Sequence, residues 1–154
     1  MPRALRQLSV LQVNVGCSWA AHKAALQLAY EQDFHAILIQ EPWILPDRSR
    51  RLSKKHPSFS QISPVQDWTD RPRVLIYICH SPHLSAHQVP LGPPCPDLLA
   101  VQLSTPKQAL LLMNLYNTPI GSTREHHGLE ALLNSSLPAS PCLLAGDFNL
   151  WHPL

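Results

Sequence analysis

At 154 residues, 45% of them hydrophobic, the chain has the material for one domain with a real core. Only 14% of residues are charged and the net charge is +2, which excludes nucleic-acid binding by bulk charge alone. The 16 prolines, about twice ordinary usage, point to long loops between regular elements. Four scattered cysteines, Cys17, Cys79, Cys95 and Cys142, form no CxxC pair. They read as core or loop thiols of a reducing compartment rather than a disulfide framework or zinc site. No signal-peptide pattern and no apolar run long enough to span a bilayer is present, so no membrane contact is expected.

Leu8–Val15 is rich in β-branched residues and closes at Gly16, the pattern of a first strand. Ser18 is a suitable N-cap for a helix whose apolar face is Ala21, Ala24, Ala25, Leu28 and Ala29. Ala36–Gln40 is a short buried strand stopped by Pro42, completing a βαβ layout. Trp43 to Arg73 lacks periodicity and reads as a long loop with one short strand near Phe59–Ile62. Val74–Cys79 is a strand. The proline-rich stretch from Ser81 to Asp97 reads as loop. Leu98–Leu103 and Ala109–Tyr116 form strands of a hairpin. Ser122-Thr123-Arg124-Glu125 has capping-box form and opens a helix to about Asn134. A final strand runs from Pro141 to Ala145, and Gly146 ends its apolar run.

Polar residues stand where these strands stop: Asn14, Glu41, Asn117, and Asp147 with Asn149. Singly, each is an ordinary turn residue. Together they fit one metal-assisted phosphodiester site, because ligand sites gather outside the carboxyl ends of strands. Glu41 would hold a hard divalent cation through oxygen, Asn14 would support it, and Asp147 would orient a water nucleophile.

Four stretches carry a resemblance: Gln12-Val13-Asn14-Val15, Ile39-Gln40-Glu41-Pro42, Asn114-Leu115-Tyr116-Asn117-Thr118-Pro119, and Gly146-Asp147-Phe148-Asn149 followed by His152. In this order the chain resembles the endonuclease/exonuclease/phosphatase superfamily, with its DNase I-like fold. The flavour is that of the endonuclease domains of LINE-type retrotransposons, fungal ones especially. The resemblance implies an α+β fold, a four-layer αββα sandwich of two packed sheets between helices. It implies Glu41 as metal ligand with Asn14 beside it, Tyr116 as a phosphate-contacting tyrosine and Asp147 as the aspartate that orients or deprotonates water. Asn149 becomes the amide that steadies the phosphate, and Asn117 is read as a substrate-side residue, as are Trp151 and His152 by their place near the site. The implied cofactor is Mg2+ (or Mn2+), and the implied partner is DNA, nicked to prime reverse transcription; a functional protein of this kind would work in the nucleus.

Members of this superfamily continue past the G-D-F-N motif and end in a Ser-Asp-His motif. The 154 residues are therefore expected to be an amino-terminal fragment of such a domain, with the carboxyl-terminal part missing, activity lost or much reduced and sheet edges uncovered. Two other functions compete: a phosphoesterase acting on a small phosphate ester, and a non-catalytic remnant that binds nucleic acid weakly. Plasmid cleavage separates the first from the leading reading, and salt-sensitive DNA binding without turnover marks the second.

Other features have simpler readings. The basic run from Arg48 to His56 can meet phosphates but reads first as a solvated loop. His80, His83 and His87 have metal-like spacing in a proline-broken loop without a supporting acid. His126 and His127 point about 100° apart on a helix and do not pair as ligands. Trp19, Trp43, Trp68 and Trp151 are expected to pack, although Trp43 and Trp151 lie near enough to the site to stack on a base.

Overall fold

A computed structural model describes residues 7–47, 50–119, 121–122 and 127–149. Eight strands and two helices appear among them: β1 (Val10–Asn14), α1 (Trp19–Glu31), β2 (Ala36–Gln40), β3 (Phe59–Ile62), β4 (Val74–Cys79), β5 (Ser85–Gln88), β6 (Leu98–Ser104), β7 (Ala109–Tyr116), α2 (His127–Leu133) and β8 (Cys142–Asp147). One sheet has the order β1-β2-β4-β3 and the other β5-β6-β7-β8.

The βαβ unit read from the sequence is present. Ser18 caps α1, its side chain accepting from Ala21 N–H at 3.2 Å. β1 and β2 then pair in parallel, with Asn14 opposite Gln40. A second parallel pair stands in the other sheet, where β7 and β8 place Tyr116 opposite Asp147. Both pairs therefore present their carboxyl ends on the same rim, and that rim carries the polar residues.

Apolar residues fill the space between the sheets, among them Leu38, Ile76, Leu99, Val101 and Leu112. The other face of β2 and β4, with Ile37, Ile39, Leu75 and Tyr77, packs under Ala25, Leu26 and Ala29 of α1. Leu98 and Leu115, on the outer face of the second sheet, lie under Ala131 and Leu132 of α2. The result is the expected α–β–β–α layering. A Cβ on Gly128 would collide with the Tyr116 carbonyl, so a residue without a side chain lets α2 lie directly on the end of β7.

Three expectations need correction or restriction. The stretch Ser81 to Asp97 is not all loop, because Ser85–Gln88 forms the edge strand β5 against β6. That strand is polar and mostly exposed, so no alternation of apolar residues marked it. The buried face of α1 is His22, Ala25, Leu26 and Ala29; Ala21, Ala24 and Leu28 face outward, rotating the apolar stripe from its expected place. Most of the capping box, Thr123 to Glu125, lies outside the described residues, as does His126. Among the described residues β8 is an edge strand, with Leu143 and Leu144 exposed.

Polar side chains also tie the layers together. Gln12 Nε2 donates to Gln40 Oε1 at 2.6 Å, and Gln40 Nε2 donates to Asn114 Oδ1 across the sandwich at 2.5 Å. Asn114 Nδ2 returns to the first sheet, reaching the carbonyls of Ile39 and Leu75 at 3.0 Å each. Gln40 and Asn114 are fully buried. A buried amide network that is satisfied in this way locks one relative placement of the two sheets.

His22 anchors the segment after Glu41. Its Nδ1 accepts from Trp43 N–H at 3.2 Å, and its Nε2 meets Tyr77 OH at 3.0 Å. Tyr77 OH donates to the Lys54 carbonyl at 2.6 Å, so the imidazole is the neutral form that carries its hydrogen on Nε2. Burial, reinforced by the Lys54 charge, pushes His22 down from 6.5 to about 4. The unfolded chain binds this proton at a higher pH than the folded one does. Stability from His22 is thus complete above pH 6.5 and lost as the pH falls towards 4, by at most about 3 kcal/mol. Urea unfolding across that window should show the decline, and a His22 resonance titrating near 6.5 would contradict it.

Candidate functional site

Asn14 ends β1 with its side chain on the rim. Its Oδ1 accepts from Gly16 N–H at 2.8 Å, which turns Nδ2 towards two carboxylates. Nδ2 donates to Glu41 Oε2 at 2.8 Å and to Asp147 Oδ2 at 2.8 Å. One neutral amide thus joins two acids from opposite sheets, one of them 133 residues away in sequence.

Glu41 follows β2 in a left-handed conformation, φ 47°. That conformation costs a non-glycine residue about 1–3 kcal/mol and persists only where neighbours impose it. Here Glu41 N–H donates to the Arg73 carbonyl at 2.9 Å, and Cys17 N–H donates to the Glu41 carbonyl at 2.7 Å. Backbone is held on both sides, so the carboxylate is aimed rather than left to a mobile turn.

Tyr116 ends β7 and donates its hydroxyl to Glu41 Oε1 at 3.0 Å. Burial, the hydrogen bond to Glu41 and the Glu41 charge push this phenol up to about 12. It therefore stays protonated and acts as a donor. Asp147 stands opposite it across the parallel β7–β8 register. Asp147 Oδ1 accepts from Asn149 N–H at 3.3 Å, and its carbonyl accepts from Asn117 N–H at 2.8 Å. Asn149 also adopts a left-handed backbone, φ 43°, and its Nδ2 donates to the Asn117 carbonyl at 2.5 Å. Asn117 itself is fully buried, with Oδ1 accepting from Leu129 N–H at the start of α2.

The structure therefore brings Asn14, Glu41, Tyr116 and Asp147 into one hydrogen-bonded cluster, with Asn149 folded against Asp147. Asn117 lies beneath it and faces α2. Trp151 and His152 fall outside the described residues. Trp43 is half-buried, with Lys54 Nζ 4.9 Å from its ring centre, and the same ammonium sits 3.6 Å from that of exposed Trp19. Trp68 is buried, as expected for a packing residue.

Glycine before Asp147 is a steric requirement. A Cβ at Gly146 would fall on the Leu115 backbone, at φ 157°. Gly146→Ala is expected to force β8 away from β7 and to cost about 3 kcal/mol. Urea unfolding measures this directly, and a loss below about 1 kcal/mol would rule out the close approach.

Glu41 and Asp147 offer carboxylate oxygens, the donors that suit a hard divalent cation. Two carboxylates sharing a single neutral amide also form a like-charge arrangement that a bound cation would relieve. The histidine spacing at His80, His83 and His87 is not realised as a cluster; His80 instead meets Ser60 at 2.9 Å. Among the described residues, the group with convergent metal-type atoms is Cys95, Asp97 and His127, within 4.8 Å of one another.

Several supporting residues had no role assigned from the sequence, although Gln12, Gln40 and Asn114 stand inside the motif stretches. Gln12, Gln40 and Asn114 carried a usable signal, since each is a polar residue inside an otherwise apolar strand. Arg73 and Asp97 carried none. They belong to irregular segments, and only the packing of two loops brings Arg73 Nε to 3.6 Å from Asp97 Oδ1.

No protein-family model matches the sequence, and no curated protein matches it by sequence. Solved structures do match by fold. The endonuclease domain of TRAS1, a telomere-specific non-LTR retrotransposon, superposes with a TM-score of 0.73 at 17% identity, over 95% of this chain and 61% of that one. TDP2 of D. rerio, complexed with a single-strand DNA product, gives 0.64 at 19% identity over 94% and 62%. The AP endonuclease LMAP from Leishmania major gives 0.62 at 17% over 91% and 54%. The chain thus spans about three-fifths of the length of these structures. The fold is the DNase I-like sandwich, and the resemblance read from the sequence motifs holds at the level of the fold. No helix among the described residues is long and apolar enough to cross a membrane.

Proposed function

We propose that this chain is an endonuclease-like domain of retrotransposon type, hydrolysing phosphodiester bonds of DNA with the help of Mg2+ or Mn2+. The observation that carries this reading is the Asn14 amide shared by Glu41 and Asp147, with Tyr116 donating to the same glutamate. Glu41 would hold the cation, with Asn14 and Asp147 beside it. When bound, the cation supplies Lewis-acid polarisation of a phosphate oxygen and neutralises charge that develops there.

The remaining steps belong to this chain's side chains. Asp147 accepts a hydrogen bond, and then a proton, from the attacking water. Tyr116, kept protonated by burial and by Glu41, donates to a phosphate oxygen. The Asn149 side chain steadies the phosphate, while buried Asn117 holds Asn149 in place rather than touching substrate. The retrotransposon assignment is supported by the Gln40-Glu41-Pro42 and Gly146-Asp147-Phe148-Asn149 motifs, together with the fold match to the TRAS1 domain. In this reading the protein works on nuclear DNA.

A supercoiled-plasmid assay tests the proposal. Slow nicking that requires Mg2+ or Mn2+ and stops with a chelator is the expected result. Hydrolysis of small phosphate esters without plasmid nicking would replace DNA as the substrate, and absence of both activities from the folded protein would overturn the enzymatic reading.

A further inference from the structure

We propose that Arg73 is the phosphate-anchoring cation of this site, held in position by buried Asp97. The inference rests on the phosphodiesterase reading above and adds a binding residue to it.

Arg73 stands immediately before β4, whose first residue, Val74, pairs with Gln40. It therefore lies opposite Glu41, and its carbonyl accepts Glu41 N–H at 2.9 Å. Its own N–H donates to the Pro96 carbonyl at 2.8 Å, so its backbone joins the segments that lead into both sheets. The residue is built into the rim rather than draped over it.

The side chain is held at Nε and carries an unmet donor at its tip. Nε lies 3.6 Å from Asp97 Oδ1, and the other Asp97 oxygen lies 3.2 Å from His127 Nδ1. Asp97 is fully buried, so this anchor has little freedom. The guanidinium carbon sits 5.9 Å from the centre of the Tyr116 ring, whose hydroxyl reaches Glu41. Nη1 is shielded from solvent and has no hydrogen-bond partner among the described residues. A shielded donor on a charged group is expensive to leave unmet. A side chain serving only as a structural bridge would turn its two-pronged end to the Asp97 carboxylate. Instead Nε faces Asp97 and Nη1 is left for another acceptor.

That acceptor must be anionic, within reach of Tyr116, and suited to a planar donor fork. A phosphate group meets all three conditions. An anion bound there would sit against the two groups already assigned to phosphate and metal. The partner recognised is thus a backbone phosphate of the strand being cut.

The test measures binding of a labelled duplex oligonucleotide in chelator, where no cleavage occurs, as a function of salt. Arg73→Gln should weaken binding roughly tenfold and lower the slope of log affinity against log salt by about one. Removing Arg73 alone leaves Asp97 buried without that charge, so Arg73→Gln is also made together with Asp97→Asn, and urea unfolding confirms the fold. Arg73→Lys keeps the charge but loses the fork; it should keep the salt slope while losing several-fold in affinity. Unchanged affinity and slope in folded Arg73→Gln/Asp97→Asn would overturn the proposal, as would a wild-type protein that does not bind. Wild-type binding without metal-dependent nicking would instead remove the catalytic reading and leave Arg73 as a phosphate contact.

Discussion

Glu41→Gln and Asp147→Asn are each expected to lower metal-dependent plasmid nicking by roughly 10² or more, because each removes a charge that the proposed chemistry needs. The two losses should differ in kind. Glu41→Gln removes the principal metal-holding carboxylate, so raised Mg2+ should restore part of the rate. Asp147→Asn removes the proton acceptor, and no metal concentration should restore it. Both variants keep the shape of the cluster, since an amide replaces a carboxylate of the same size. In either variant the amide turns its NH2 towards a group that donated to the carboxylate, so urea unfolding is run beside the assay to confirm the fold. The Tyr116 phenol gives an independent readout. Part of its upward shift comes from Glu41, so its ionisation should move to lower pH in Glu41→Gln. Full nicking activity in either variant would remove these two residues from the mechanism.

Asn114→Ala should be the most destabilising of the conservative-sized changes at the sheet interface. It takes from the Ile39 and Leu75 carbonyls, which face each other in the β2–β4 ladder, the second donor that Asn114 supplies, and it leaves Gln40 Nε2 with only a long 3.4 Å contact to the Leu38 carbonyl. The poorly satisfied Gln40 amide costs about 1–3 kcal/mol, so a total near 2 kcal/mol is expected. Urea unfolding would measure it. The consequence should reach the site, because Gln40 immediately precedes Glu41 and Asn114 lies two residues before Tyr116. Loss of nicking that exceeds the unfolded fraction would show that the network positions these two residues. A cost below about 1 kcal/mol would show that the sheets do not depend on it.

The candidate site was legible to the extent that its residues follow apolar runs. β2, β4, β6 and β7 are nearly continuous hydrophobic stretches, and such runs announce buried strands whatever their partners. A polar residue at the end of a buried strand must emerge on a rim, which singled out Asn14, Glu41 and Asp147 before any contact was known. The reading failed where local pattern is weak. The strand β5 is polar because it is an edge, and the buried stripe of α1 includes His22, a residue that no hydrophobicity pattern would place in a core. His22 is buried because Trp43 N–H and the Tyr77 hydroxyl satisfy both of its ring nitrogens, and those partners come from distant segments.

By itself the sequence determined which apolar segments become strands and helices, the polar edge strand β5 excepted, the first parallel βαβ pair, and the residue types standing at the strand ends. These follow from periodicities of two and 3.6 residues and from capping and turn chemistry, all of which act over a few residues. Only the tertiary structure decided that the carboxyl ends of two parallel pairs, one in each sheet, share a rim. It placed Asn14 between Glu41 and Asp147, turned Asn117 towards α2, and set Arg73 on Asp97 beside Tyr116. Sheet order and loop packing are contacts between residues far apart in sequence. They arise from burying both sheets and satisfying their polar groups at once, and no local stretch encodes that collective condition.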